Sequence, residues 1–280
     1  MKKVFYKMHG IGNDYIYFDC FDEEIESPSK TAIRLSDRHF SIGGDGIILV
    51  CRSKVADGKM RMFNADGSEG KMCGNGIRCV GKFLYEIKGI HKDIITVETL
   101  SGIKTLKMHV KDGKVFSVTV DMGAPELDPQ KIPAHIGHGD KIINEPFFVN
   151  GKEYKVTCVS MGNPHCVVFG DDPYKLDLEK EGSAFEQNAA FPERVNTEFV
   201  QPLQDGSLKM RVWERGSGET WACGTGACAV AVAAVLNGIC KVGEEICVRL
   251  RGGDLNILYT GQTVLMTGGA EFSFTGEVEL

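Results

Sequence analysis

Lys59-Met60-Arg61-Met62-Phe63-Asn64-Ala65-Asp66-Gly67-Ser68-Glu69-Gly70-Lys71-Met72-Cys73-Gly74-Asn75-Gly76 returns further along the chain as Lys209-Met210-Arg211-Val212-Trp213-Glu214-Arg215-Gly216-Ser217-Gly218-Glu219-Thr220-Trp221-Ala222-Cys223-Gly224-Thr225-Gly226. A constant spacing of 150 residues aligns Arg61 with Arg211, Glu69 with Glu219, Cys73 with Cys223, Gly74 with Gly224, Gly76 with Gly226 and Val80 with Val230. Upstream the same spacing pairs Asn13 with Asn163. Matched Arg, Glu, Cys and Gly positions without a gap imply tandem duplication. Each copy reads as a short strand, a Gly/Ser turn and then a helix. In the first helix Ile77, Val80, Leu84 and Ile87 recur at helical spacing, with Lys82, Tyr85, Glu86 and Lys88 as the polar face and Gly89 as the cap. The second, Ala227 to Leu236, is apolar all round and must be buried on every side.

Outward from these cores, hairpins are expected over 94–120 and 245–267, with turns at Ser101-Gly102, Asp112-Gly113, Gly252-Gly253 and Thr260-Gly261. A further helix is expected over Pro28–His39, with a counterpart over Tyr174–Asn188. The fold class is α/β (α+β): two similar pseudo-symmetric domains, each a mostly antiparallel sheet rolled around a central helix. Gly123 and Pro125 mark the boundary, giving an N-terminal domain 1–121 with Cys73 and a C-terminal domain 122–280 with Cys223. The last strand, about 269–280, is expected to pack back on the N-terminal domain.

The 280 residues, 42% hydrophobic and 25% charged, describe an ordinary globular protein rather than a disordered or fibrous one. A net charge of −6 excludes the electrostatic footprint of a general nucleic-acid or anionic-membrane binder, so a small-molecule partner is expected. The uncharged run Ala222–Cys240 is too rich in Ala, Gly and Asn for a membrane span. The first ten residues lack the apolar core of a signal peptide, so the expected location is cytoplasmic, with most of the ten cysteines serving as reduced core residues.

Cys73 and Cys223 differ from the other eight cysteines because each stands where a turn becomes a helix. First-turn amides have no internal partner and favour negative charge, which lowers a thiol's pKa and leaves a cradle for a carboxylate. Neither the spacing to Cys79 and Cys228 nor the lack of a short paired motif suits zinc or a redox dithiol. Cys79 stands where a dinucleotide loop would need its third glycine. Two thiols in equivalent positions suit inversion of a carbon centre, in which one group removes a proton and the other returns one to the opposite face.

Around these cysteines the chain resembles the diaminopimelate epimerases, within the pyridoxal-phosphate-independent amino-acid racemase family. The resemblance rests on His9-Gly10-Ile11-Gly12-Asn13-Asp14, Phe63-Asn64-Ala65-Asp66-Gly67-Ser68, Met72 to Cys79, Gly162-Asn163-Pro164-His165, Arg194-Val195-Asn196 and Trp213 to Gly226. It implies interconversion of LL- and meso-diaminopimelate in lysine biosynthesis, without metal or organic cofactor, by a homodimer. It also implies Cys73 and Cys223 as the thiolate and thiol pair, assisted by His165 and Glu214. The amides of Gly74, Asn75, Gly224 and Thr225 would hold the carboxylate at the reacting centre, and Glu214 the α-ammonium. Arg215 with Asn13, Asn64, Asn163 and Asn196 would read the distal end. Racemases of histidine or proline are the nearest alternatives, and a non-catalytic amino-acid-binding relative is the alternative outside enzymes. The chain departs from some family members in carrying Gly46, rather than Gln, after Asp45.

Overall fold

The computed structural model describes residues 2–280, which divide into two compact units, 2–121 with Thr267–Leu280, and Met122–Met266. The first contains β1 (Lys2–Gly10), β2 (Asn13–Cys20), α1 (Pro28–Ser36), β3 (Gly46–Cys51), β4 (Gly58–Asn64), β5 (Glu69–Gly70), α2 (Gly74–Glu86), β6 (Ile94–Thr99), β7 (Gly102–Lys111) and β8 (Lys114–Gly123). The second contains β9 (Glu145–Val149), β10 (Lys152–Ser160), β11 (Pro164–Phe169), α3 (Leu178–Glu186), β12 (Asn196–Pro202), β13 (Leu208–Glu214), β14 (Gly218–Thr220), α4 (Gly224–Leu236), β15 (Glu245–Leu250) and β16 (Gly253–Tyr259). The chain returns to the first unit through β17 (Val264–Gly268) and ends in β18 (Glu271–Glu279), which pairs antiparallel with β1.

The duplication is visible strand by strand. In the first unit β2 runs parallel to β3, β3 antiparallel to β4, and β4 parallel to β6. In the second, β11 and β12, β12 and β13, and β13 and β15 repeat those three relations. Ile48 opposite Met62 becomes Glu198 opposite Val212, so the 150-residue spacing holds in register as well as in sequence.

In each unit the strands curl around one helix. α2 touches β1, β2, β4, β6 and β7, and α4 touches β10, β11, β12, β15 and β16. A strand covered on both faces reads as a continuous apolar run. β3, Gly-Ile-Ile-Leu-Val-Cys, is buried throughout: Ile48 lies against Gly76 of α2, while Ile47 and Leu49 join Ala32 and Leu35 of α1 in a core on the other face. In the second unit the corresponding outer core centres on Phe185 of α3, ringed by Phe147, Tyr154 and Phe199 at 5.1–5.7 Å.

Two local expectations are corrected. The helix expected to reach His39 ends at Ser36, because the Asp37 carboxylate accepts the backbone N–H groups of His39 and Phe40 at 2.8 and 2.9 Å and turns the chain there. Lys82, read as part of a polar face, is buried: its ammonium donates to the Val115 carbonyl at 2.6 Å and pairs with Glu86 at 3.5 Å. Arg78, also wholly buried, donates to the carbonyls of Gly269 and Gly74 and to Asn75 Oδ1 at 3.0–3.2 Å. Charged side chains are tolerated under a sheet when their donors find fixed acceptors. Among the described residues no helix is long and apolar enough to cross a membrane.

Gly46 opens β3 opposite Asn64 of β4, where a Cβ would come within 2.1 Å of the Phe63 carbonyl oxygen. That oxygen belongs to backbone and cannot swing aside. Gly46→Gln is therefore expected to force the two strands apart and cost about 1–3 kcal/mol or more of stability, read as a lower midpoint in urea. An unchanged midpoint would refute the register described for β3 and β4.

Candidate active site

Cys73 is the N-cap of α2 and Cys223 the N-cap of α4, each with its sulfur accepting the backbone N–H three residues on, from Gly76 and Gly226, at 3.3 Å. The local reason is the same in both: an extended cysteine followed by Gly-X-Gly lets the first helical turn close tightly on the sulfur. Both thiols thus sit at the positive end of a helix dipole.

In the first unit the Cys73 thiol donates to Asn13 Oδ1 at 3.3 Å, and the buried Tyr15 hydroxyl lies beside both residues. Asn13 is held in turn by Asp45, whose Oδ2 accepts its amide at 2.6 Å and the Asp14 N–H at 3.1 Å. Arg38 spans Asp14 and Asp45 at 2.7 and 2.9 Å, and Lys7 reaches Asp14 at 2.5 Å. These cations hold the Asp14 carboxyl below its usual range against the opposing effect of burial. Asn64 ends β4 and donates to Ser68 Oγ at 3.0 Å; Asn75, 2% exposed, has its side-chain oxygen turned to Arg78, which leaves its backbone N–H as its contribution at the helix start.

In the second unit Thr225 Oγ1 lies 3.6 Å from Cys223 Sγ and accepts from Asn163 at 3.3 Å, and Asn163 Oδ1 faces His165 Nε2 at 3.1 Å. Asn196 uses its amide on backbone, donating to the Pro164 carbonyl at 2.9 Å and accepting the Arg215 N–H at 3.0 Å. Arg215 is exposed, with one guanidinium nitrogen on the Glu193 carbonyl at 2.9 Å. Its loop is fastened by Glu186, which accepts from Trp213 Nε1 at 2.7 Å and the Gly216 N–H at 2.9 Å. Thus Asn163, His165, Thr225 and Glu214 converge on Cys223, and Asn13 on Cys73. Asn196 instead steadies Arg215.

Glu214 interacts with Cys223 and accepts a hydrogen bond from the Thr220 hydroxyl. Although the residue is only partly covered, its carboxyl is enclosed, and burial raises it above the usual carboxylate range. Burial also pushes the Cys223 thiol far up, reinforced by the charges of Glu214 and Glu198 and opposed by Thr225 and the Gly226 N–H. A raised carboxyl stabilises the fold fully below its unfolded pKa and loses that contribution as pH rises through the folded value. Glu214→Gln should therefore match or exceed the parent's melting temperature at neutral pH and lose the advantage in acid. A Tm difference independent of pH would contradict this assignment.

Asp45, Arg38, Glu186 and Glu198 were missed by sequence reasoning. Glu198 carried one usable signal, a lone charge inside the strand Asn-Thr-Glu-Phe-Val, whereas Asp45, Arg38 and Glu186 resemble any turn or helix polar residue.

The model of the family described as diaminopimelate epimerase matches residues 5–127 and 157–273. The diaminopimelate epimerase of Acetivibrio thermocellus is 54% identical over 280 residues, covering 99% of this chain and 98% of that protein. That of Agathobacter rectalis is 51% identical over 284 residues and covers 99% of each. A hydroxyproline epimerase from Agrobacterium vitis solved with bound trans-4-hydroxy-L-proline has a similar fold, with a TM-score of 0.74 at 15% identity over 100% of this chain and 93% of that one. A PhzF-family phenazine biosynthesis protein from Bacillus anthracis matches with a TM-score of 0.72 at 17% identity, covering 100% of each chain. With its duplicated sheet-and-helix units and near full-length identity to these enzymes, the chain belongs to the diaminopimelate epimerase family of isomerases.

Proposed function

We propose that this isomerase interconverts LL- and meso-diaminopimelate by two-base proton transfer, Cys73 and Cys223 serving opposite faces of one α-carbon and needing no cofactor. The observation that carries this reading is the pair of sulfurs at equivalent helix N-termini, each accepting a first-turn N–H at 3.3 Å. In one direction a Cys73 thiolate removes the α-proton while the Cys223 thiol supplies a proton from the other side; in reverse the roles exchange. The high resting position of Cys223 supports its role as the protonated partner in the unliganded protein.

First-turn amides of α2 and α4, from Gly74, Asn75, Gly224 and Thr225, are the donors for the substrate carboxylate, where negative charge grows as the proton leaves. Glu214 takes the α-ammonium, and binding that cation draws the carboxyl towards its ionised form. His165 acts through Asn163 and Thr225. Arg215, steadied by Asn196, receives the distal carboxylate, and Asn13, Asn64 and Asn163 are the further polar residues that the resemblance assigns to the substrate. The buried use of seven cysteines supports a reducing, cytoplasmic setting. A homodimer is the assembly the resemblance implies, and light scattering tests it.

The direct test is incubation with LL-diaminopimelate in D2O. Meso product with deuterium at the inverted carbon is expected. Inversion with full retention of the original hydrogen would overturn two-base transfer.

A further inference from the structure

Around the two cysteines the repeat is broken at three places. At the constant spacing Tyr15 corresponds to His165, Ile48 to Glu198 and Asn64 to Glu214. The second site is clear in space: a Cβ on Gly76 would meet Ile48 Cδ1 at 2.7 Å, whereas one on Gly226 would meet Glu198 Oε1 at 2.6 Å. Beneath the first turn of α4 there is thus a carboxylate where the other half has a methyl group.

Glu198 is wholly buried, with Oε1 2.7 Å from His165 Nδ1 and Oε2 without a hydrogen-bond partner among the described residues. Burying a half-satisfied carboxylate is costly, and the first unit shows that isoleucine fills the same place. The carboxylate therefore serves something other than packing, and among the described residues its hydrogen-bond partner is His165. With the carboxylate as acceptor, Nδ1 is the donor of that bond, and because Asn163 Oδ1 is an acceptor as well, Nε2 is the donor of the next one. From Nε2 the contacts continue to Asn163 Oδ1 at 3.1 Å, from Asn163 Nδ2 to Thr225 Oγ1 at 3.3 Å, and from Thr225 to Cys223 Sγ at 3.6 Å.

We infer that Glu198 is a positioning residue for the reaction: it locks the His165 ring with Nδ1 protonated and, through Asn163 and Thr225, sets the hydrogen-bond direction at the Cys223 sulfur. The inference rests on Cys223 being one of the two proton-transfer groups. The other titratable groups facing the pair are Cys166 on β11, Glu214 on β13 and Cys223 itself at the start of α4. Burial, then the charges of Glu214 and Glu198, push the Cys223 thiol up.

Two full-length variants test it. Glu198→Gln keeps the shape and removes the charge; Glu198→Ile installs the residue of the other half. Carboxylates that orient a metal-ligating histidine typically matter about 10–100-fold; on the same scale kcat should fall about tenfold in Glu198→Gln and about a hundredfold in Glu198→Ile, with KM changed less than about twofold. The basic limb of kcat/KM should move to lower pH in both, because Cys223 loses a negative neighbour. Long-range ¹⁵N–¹H spectra of histidine-labelled protein should show the His165 Nδ1 proton in the parent and its loss or averaging in the variants. Folded variants with the parent's kcat and pH profile, or an unprotonated Nδ1 in the parent, would overturn the inference. If Glu198→Ile does not fold, Glu198→Gln and the parent spectrum decide. A parent that never epimerises diaminopimelate would instead defeat the proposed function, while the spectrum still reports on the Glu198–His165 bond.

Discussion

Cys73→Ala and Cys223→Ala should each abolish epimerisation yet leave proton exchange on one face. Each sulfur accepts one first-turn N–H at 3.3 Å, so its removal costs about 1 kcal/mol of capping and the protein should still fold. The kinetic loss is of another order, since a positioned acid or base contributes about 10²–10⁴-fold and no second group can take its place. With Cys73 absent, Cys223 can still exchange the proton of the isomer that presents its hydrogen to that side; with Cys223 absent, Cys73 does so for the other isomer. Deuterium should therefore enter a different isomer in each variant without net inversion. Changing Cys79 is expected to act on packing alone, because that thiol is wholly buried and pushed up to about 11 by its surroundings. Parent-like epimerisation by either alanine variant would end the two-cysteine reading.

Gly226→Ala is expected to cost about a hundredfold in kcat, where Gly76→Ala costs tenfold or less. Alanine is the better helix former by about 1 kcal/mol, so any loss must come from what the methyl group meets. At Gly226 it would stand 2.6 Å from Glu198 Oε1 and 3.1 Å from Cys223 Sγ. Neither yields easily, since Glu198 is tied to His165 at 2.7 Å and the sulfur is held by the Gly226 N–H itself. At Gly76 it meets the Ile48 Cδ1 end at 2.7 Å and Met60 Cε at 3.3 Å, flexible apolar tips that can change rotamer. A displacement of about 1 Å at a reacting group is enough for a hundredfold loss. Parallel measurement of kcat and urea stability separates the site effect from general overpacking. Equal losses in the two variants would show that the groups around Cys223 are no more fixed than those around Cys73.

Much of this is legible in the amino-acid sequence. The repeat could be read because its signals are local: a strand, a turn and a Cys-Gly-X-Gly helix start within some twenty residues, where glycine and helix periodicity act through neighbouring backbone. That local grammar places both cysteines at N-caps and foretells an all-apolar α4. The depth of burial of α2 was not legible, since Lys82 and Arg78 look like a solvated face until β8 and the segment before β18 supply carbonyls for them.

What only tertiary structure decided is which distant polar residues stand behind the cysteines. Asp45 reaches Asn13 from 32 residues away, Glu198 reaches His165 from 33, and Glu186 reaches Trp213 from 27. No periodicity encodes such pairs. The first two arise because the β2–β3 and β11–β12 parallel pairings bring separate chain segments into register, the third because α3 packs on β13, and in each a charge removed from water takes the partner set beside it. The sequence by itself determined two like frames with a thiol at each helix start; the packing inside each frame decided that one thiol has a tyrosine and an isoleucine behind it, and the other a histidine and a glutamate.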